Sequence, residues 1–187
     1  MKKIFCLLVA LMALSGFAQD VKVPAEGKAI VYFVRTSQMG AVINFKYFDG
    51  ENYLGKFNYG EYIAYECDPG FHLFWAKSEN IHYLEATLEA GKVYVINAEP
   101  QMGAIKAGVE LVPLDKKHKK YEKRRKKALE AIADDELYVL SEKDRAEANE
   151  DLADLVKRAM EKYNTNKQKG KEFDKLTSEM YLEKGAE

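Results

Sequence analysis

The amino-acid sequence predicts a mainly β protein: a seven- to eight-stranded antiparallel β-sandwich, followed by a charged α-helical C-terminal extension. Residues 19–114 alternate apolar and polar side chains in short runs between turn residues. Eight of the twelve tyrosines and the one tryptophan lie in this region. Residues 115–187 contain no proline, and their apolar side chains recur at helical spacing. The change of period predicts a domain boundary near Leu114.

The N-terminus has the features of a cleavable signal peptide. Two lysines precede an apolar run over residues 4–14, and small residues lie just before Gln19. A membrane anchor is disfavoured, since crossing a bilayer takes about 20 apolar residues. We therefore predict a signal peptide over residues 1–18, an exported protein that is periplasmic or secreted, and no transmembrane segment after its removal.

Cysteine content agrees with a core held by apolar packing. Removal of the signal peptide removes Cys6 and leaves Cys67 as a single cysteine, which allows no internal disulfide. We interpret Cys67 as a buried small apolar residue rather than a reactive thiol.

Eight strands are predicted in order. The first is apolar on both faces and reads as a central buried strand. Asp49-Gly50 and Pro69-Gly70 are turn signals, and a loop is predicted around Pro100 and Gly103. The predicted strands cover residues 29–34, 42–48, 53–57, 62–67, 71–77, 82–88, 93–98 and 108–114.

Three helices are predicted in the C-terminal region. The first covers residues 116–134. Ser141 is a good N-cap for the second, which ends at residues 164–166, and a weaker helix covers residues 173–183. Their apolar stripes are narrow, so we expect them to pack on the sheet, on each other or on a partner.

Residues 27–114 resemble a bacterial exported family described as domain of unknown function 2846. The resemblance rests on the opening AIVYFVR, on the stretch from Phe48 to His72 with its Asp-Gly and Pro-Gly-x-His turns, and on LEAGKVYVI. It implies an exported β-sandwich and assigns no catalytic residue. Residues from Asp115 onward lie outside the resemblance.

No catalytic, cofactor or metal-binding motif is present in the sequence. The nucleophile pattern Gly-x-Ser-x-Gly and the glycine-rich phosphate loops are missing, and no ligand cluster accompanies His72 and His82. We therefore predict no cofactor, no metal and no catalytic residue. His72 follows a Pro-Gly turn and is more typical of a hydrogen-bonded structural histidine than of a ligand, although it remains a binding candidate.

Aromatic residues concentrate around two predicted hairpin turns. Tyr59, Tyr62 and Trp75 are candidates for a surface that binds sugar rings or partner side chains, and the alternative is that they pack in the core.

A basic run over residues 116–127 has nine Lys/Arg in twelve positions. Lys119, Arg124 and Arg125 are candidates for binding an anionic lipid or polymer surface. The alternative is a solvated linker helix, partly neutralised by the acidic residues 134–136. A net charge of −1 argues against a nucleic-acid partner.

These observations favour an exported, non-catalytic binding or accessory module of the bacterial cell envelope. Its partner would be an envelope protein, a glycan or an anionic surface. Two alternatives stay open: an enzyme acting on cell-wall or extracellular glycan, and a self-associating structural protein.

Overall fold

A computed structural model describes residues 21–102 and 107–183, so the predicted signal peptide and Gly103 lie outside the described residues. The described part of the chain contains ten strands and two helices. Their bounds in chain order are β1 Ala29–Val34, β2 Phe45–Asp49, β3 Asn52–Phe57, β4 Glu61–Cys67, β5 Gly70–Lys77, β6 Ile81–Leu88, β7 Val93–Met102, β8 Ala107–Pro113, α1 Tyr121–Asp134, β9 Glu136–Leu137, α2 Glu142–Gln168 and β10 Asp174–Leu176.

The strands form two five-stranded sheets, which confirms a mainly β fold. Sheet I has the order β8-β7-β1-β4-β9, and sheet II has the order β10-β6-β5-β2-β3. The prediction of a purely antiparallel arrangement is wrong, because β1 pairs with β7, β4 with β9 and β6 with β10 in parallel. The chain crosses to sheet II and back twice between β1 and β7, with β4 in sheet I between the two crossings. This long connection allows β7 to enter sheet I in the same direction as β1.

The main core lies between the two sheets. Along β1, Val31 and Phe33 point into this core, whereas Tyr32 and Val34 point to the opposite face of sheet I. Phe33 meets Phe74 of sheet II edge-on, with ring centroids 5.3 Å apart. Every residue of β1 is buried, which confirms the predicted central strand.

Each helix covers the outer face of one sheet. Helix α1 buries Ala128 and Ile132 against the outer face of sheet I. Helix α2 buries Ala159 and Tyr163 against the outer face of sheet II. The predicted N-cap is confirmed, since the Ser141 hydroxyl accepts from the backbone N–H of Asp144 at 3.1 Å. None of the described helices has the length and apolarity that a bilayer-spanning segment needs.

The predicted helix over residues 173–183 is wrong. Gly170, at φ 77°, lies just beyond the end of α2, and residues Asp174–Leu176 then form β10 beside β6. Phe173 and Leu176, three residues apart, suggest one helical face, but a strand places them on opposite faces. Leu176 enters the core between the sheets, and Phe173 packs against Tyr163 on the outer face of sheet II.

The predicted loop at Pro100 is instead part of β7. Strand β1 ends at Val34, opposite Asn97, so β7 has no β1 partner beyond that point. Pro100 lacks a backbone N–H. The missing donor breaks no hydrogen bond to β1, because β1 does not extend to this point. The extension carries β7 and β8 past the end of β1.

The free edge of β8 is closed by side chains. The Asn80 amide donates to the carbonyl of Val109 at 2.9 Å, and the Val109 N–H donates to Asn80 Oδ1 at 2.7 Å. The next outward-facing N–H, that of Leu111, donates to His82 Nδ1 at 3.2 Å. A side-chain amide thus takes the place of a neighbouring strand.

Candidate functional site

The aromatic residues predicted to form a binding surface do not lie together. Trp75 is fully buried on the outer face of sheet II, where its ring stacks on Phe48 with centroids 3.8 Å apart. Its indole N–H donates to the carbonyl of Gly50 at 2.7 Å. Tyr62 lies half-buried on the outer face of sheet I, near Tyr32. Trp75 and Tyr62 share no surface, because they pack on opposite sides of the molecule.

His72 is part of a buried hydrogen-bonded network. Its Nδ1 lies 2.7 Å from Asp49 Oδ2, and its Nε2 lies 2.8 Å from the carbonyl oxygen of Asp68. Both partners are acceptors, so the ring carries a proton on each nitrogen. The hydrogen bond to Asp49, followed by one with Cys67, raises the pKa of His72 to about 10. With 12% of its side chain exposed and both ring nitrogens hydrogen-bonded, His72 fits the interpretation as a structural histidine better than that as a binding residue.

The three candidate side chains of the basic run point in different directions. Lys119 is exposed in the turn that precedes α1. Arg125 turns toward the C-terminal segment, where it donates to the carbonyl of Glu183 at 3.4 Å. Arg124 turns the other way and lies 3.9 Å from Glu99 of β7. Of these three predicted residues, only Arg124 lines the same cavity as Tyr59.

Tyr59 and Arg124 line one cleft of about 680 Å³ on the outer side of sheet I. One wall is the N-terminal half of α1, and the other is the loop of residues 36–44 with the extended part of β7. Throughout, the cleft means the cavity lined by Thr36, Ser37, Gln38, Met39, Tyr59, Val95, Asn97, Glu99, Pro100, Val112, Pro113, Leu114, Lys120, Lys123, Arg124, Lys127 and Ala128.

The helix wall of the cleft is strongly basic. It presents four cations, Lys120, Lys123, Arg124 and Lys127. The carboxylate on the opposite wall is Glu99, which lies at the outer limit of ion-pair distance from Arg124. The cleft therefore has a positive potential that favours an anionic ligand.

The sheet wall of the cleft supplies fixed polar groups. Asn97 Oδ1 accepts from the backbone N–H of Thr36 at 3.1 Å, and Asn97 Nδ2 donates to Glu99 Oε1 at 3.1 Å. Gln38 Nε2 donates to the Tyr59 hydroxyl at 3.3 Å. These bonds hold the polar wall in one arrangement, while valine and proline side chains line the floor.

A smaller cavity of about 280 Å³ continues the cleft along α1. It shares Thr36, Tyr59 and Lys127 with the cleft and ends in an acidic pair, Asp134 and Asp135. Burial, and then the nearby Asp134 carboxylate, raise the pKa of Asp135. The groove along α1 is therefore basic at one end and acidic at the other.

A buried arginine shapes the loop of residues 36–44. Arg35 is fully buried, and its guanidinium donates to the carbonyls of Ile43 at 2.6 Å, Gly40 at 3.0 Å and Met39 at 3.3 Å. It also lies 4.4 Å from the centroid of the Phe45 ring. Burial lowers the pKa of Arg35. A buried cation is costly, and this one is used to hold the loop beside the cleft.

A second group of candidate ligands lies where sheets I and II meet. Among the described residues, His82, Glu110 and Asp174 lie close enough to share a metal ion. His82 Nδ1 accepts the N–H of Leu111, so the neutral ring carries its proton on Nε2. Nε2 lies 3.1 Å from Asp174 Oδ2, so this nitrogen donates to the carboxylate and has no lone pair for a metal. The arrangement favours a hydrogen-bonded pair over a metal centre.

Asn97, Thr36 and Glu99 also line the cleft, and no sequence motif identifies them as binding residues. One signal for them is present: Asn97 is a polar residue at the same parity as buried Val95, on the face of β7 that α1 covers. A polar residue on an otherwise apolar strand face indicates a polar cavity or a hydrogen-bonding role.

Comparison of the chain with family models, with curated proteins and with solved structures found no match. The resemblance to domain of unknown function 2846 therefore stays a prediction from the quoted motifs.

Proposed function

We propose that this protein is an exported, non-catalytic binding module of the bacterial cell envelope, and that its cleft holds an anionic group of that envelope. The proposal depends on one observation: three of the four cleft cations form no ion pair among the described residues. Lys120, Lys123 and Lys127 have no carboxylate within ion-pair distance in the described part of the chain. Unpaired cations that converge on a cavity are suited to phosphate or carboxylate groups.

The charge pattern of α1 supports a role in binding rather than in stability. Lys123 and Lys127 are a like-charged pair four residues apart in α1, which costs a helix about 0.2–0.5 kcal/mol, and Lys120 is the N-cap residue of the same helix. Three of the four cleft cations lie at the N-terminal end of α1, where the helix dipole disfavours positive charge. The last turn holds no basic residue and ends at Asp134. Helix stability alone does not account for this pattern.

The polar groups of the cleft support binding without catalysis. Glu99 accepts from Asn97 and faces Arg124, so it acts as part of the hydrogen-bonded wall. A nucleophilic mechanism needs a hydroxyl or thiol within hydrogen-bond reach of a base. Cys67 and His72 belong to the end of the molecule where β4 meets β5, and neither lines the cleft.

The proposal is tested by calorimetric titration of the full mature chain with two soluble polyanions, inorganic polyphosphate and an acidic oligosaccharide. The test variant is Lys123→Gln/Lys127→Gln. The matched control is Arg158→Gln/Lys162→Gln, which removes two exposed charges from α2. We expect the test variant to weaken binding about tenfold or more and the control to bind like the wild type. Added salt should weaken wild-type binding.

Two results would overturn the proposal. One is that neither polyanion nor an anionic vesicle binds the wild-type protein. The other is that the test variant and the control weaken binding equally, which would indicate a general charge effect without a site in the cleft.

A further inference from the structure

The loop of residues 36–44 carries apolar side chains that nothing in the described structure covers. Val42 is 87% exposed and Met39 is 47% exposed, although both belong to a well-packed protein. Met39 also lines the cleft, on whose other wall the four cations lie, and Val42 follows it three residues later in the same loop. Single exposed apolar residues are common, but two on one loop beside a basic surface form a distinctive arrangement.

The loop is held in one shape. The Arg35 guanidinium binds three of its carbonyls, the Ile43 N–H donates to Gly40 at 2.9 Å, and the Tyr59 N–H donates to Ala41 at 3.2 Å. The exposure of Val42 is thus a fixed feature of the fold, and its side chain is presented to whatever meets this end of the molecule.

The distribution of charge around the loop indicates which kind of surface it contacts. Residues 36–44 contain no charged side chain, whereas Lys120, Lys123, Arg124 and Lys127 lie directly behind them across the cleft. An uncharged tip with apolar side chains can enter the boundary between lipid headgroups and acyl chains. Cations just behind such a tip would lie at the level of anionic headgroups.

We propose that the loop of residues 36–44 and the cleft cations together dock the protein on an anionic lipid bilayer. This inference rests on the proposed binding of an anionic group in the cleft and assigns that group to a lipid headgroup. Met39 and Val42 would enter the interfacial layer, and the cleft would take the phosphate of a headgroup.

Vesicle co-sedimentation of the full mature chain tests the docking. The vesicles contain phosphatidylcholine alone or with about one third phosphatidylglycerol. The test variant is Met39→Ser/Val42→Ser, and the control is Val23→Ser/Val139→Ser, whose two valines are 72% and 75% exposed elsewhere on the surface. We expect binding to require phosphatidylglycerol, a loss of about tenfold in partitioning for the test variant and none for the control.

A measurement of insertion depth tests whether the loop of residues 36–44 faces the bilayer. Val42→Trp places an indole at the loop tip, and Val139→Trp places one at an exposed control position. Brominated lipids should quench the added fluorescence of Val42→Trp and not that of Val139→Trp. The native Trp75 is fully buried and contributes the same background to both variants.

The outcomes separate this inference from the proposed function. If soluble polyphosphate binds and anionic vesicles do not, the cleft function survives and the docking is wrong. If vesicles bind the test variant and the wild type equally, or if Val42→Trp is not quenched, the loop has no part in docking. If no anionic probe binds, both proposals fail.

Discussion

The two helices both cover a sheet, but they do so in different ways. On sheet II, α2 is anchored by buried contacts around Ala159 and Tyr163: Ala159 is fully buried, and the Tyr83 hydroxyl donates to its carbonyl at 2.7 Å. The Tyr163 hydroxyl donates to Glu85 at 2.8 Å. On sheet I, the fully buried residues of α1, including Ala131 and Ile132, lie in its C-terminal half. Its N-terminal half contributes the half-buried Tyr121 to the same cluster and otherwise borders the cleft with its cations.

The difference separates stability from binding. The interface of α2 combines apolar burial with satisfied buried polar groups, which is the arrangement that stabilises a fold. The open half of α1 combines unpaired like charges with a cavity, which is unfavourable for stability and favourable for a ligand. Substitutions under α2 should therefore change the free energy of unfolding, whereas substitutions on the open half of α1 should change the affinity for an anionic ligand.

The largest effect is expected from Trp75→Ala on the α2 side. This change removes a fully buried ring that stacks on Phe48 and leaves a cavity under α2. We expect the free energy of unfolding to fall by about 3–5 kcal/mol in urea denaturation. Val139→Ala, at a residue 75% exposed, should change it by less than about 0.5 kcal/mol. A small effect of Trp75→Ala would mean that this interface is not the stabilising one.

The second prediction concerns the effect of alkaline pH on His72, which lies outside both helix interfaces. The pKa of His72 is raised from 6.5 to about 10, chiefly by its hydrogen bond to Asp49. Its contribution to stability is therefore complete below pH 6.5 and is lost as the pH rises through about 10. His72→Gln should lower the free energy of unfolding by about 2 kcal/mol near pH 6.

The control for this prediction is the pH profile itself. The difference between wild type and His72→Gln should shrink steadily above pH 6.5. A difference that does not change with pH would show that the imidazolium has no role.

A smaller effect is expected from Tyr163→Phe, which removes one hydrogen bond to Glu85. Burial would raise the pKa of Glu85, but hydrogen bonds from Lys167 and Tyr163 outweigh it and lower the pKa below 4.5. The contribution of Glu85 is thus present above pH 4.5 and is lost as the pH falls through its folded value. We expect a loss of about 1 kcal/mol at neutral pH and a weaker acid dependence. Equal acid dependence in both proteins would contradict the assignment to Glu85.

The smallest effect on stability is expected on the α1 side. Lys123→Gln/Lys127→Gln relieves a like-charged pair and removes no buried contact. The free energy of unfolding should stay within about 0.5 kcal/mol of wild type or rise slightly, while polyanion binding weakens about tenfold or more. A large loss of stability would mean that these lysines belong to the fold, and the contrast between the two helices would disappear.

Local sequence patterns predict most of the strands and much less of their arrangement. The turn residues, the apolar run around Phe33 and the alternation around Tyr47 depend on neighbours in the chain, so those strands begin and end within three residues of their predicted bounds. The parallel pairing of β1 with β7 joins segments about 60 residues apart, and no local pattern encodes it. The segment after Gly170 was equally ambiguous, because a spacing of three fits one helix face or two faces of a strand.

The candidate site was predicted only in part for the same reason. Tyr59 and Arg124 are visible as an aromatic at a turn and a cation in a basic run, but nothing local places them in one cavity. Trp75 looked accessible because α2, which covers it, lies more than 60 residues later. Asn97 is polar for a reason that only the packed molecule reveals.

The hydrogen bonds between Asn80 and Val109 affect how the protein resists aggregation at high concentration. A seven-residue strand with free N–H and C=O groups would offer a template on which other chains could add, the first step toward fibrous aggregates. Here the template is already occupied from within the same chain. The side chains of Asn80 and His82 thus close this strand edge and protect the protein against such addition.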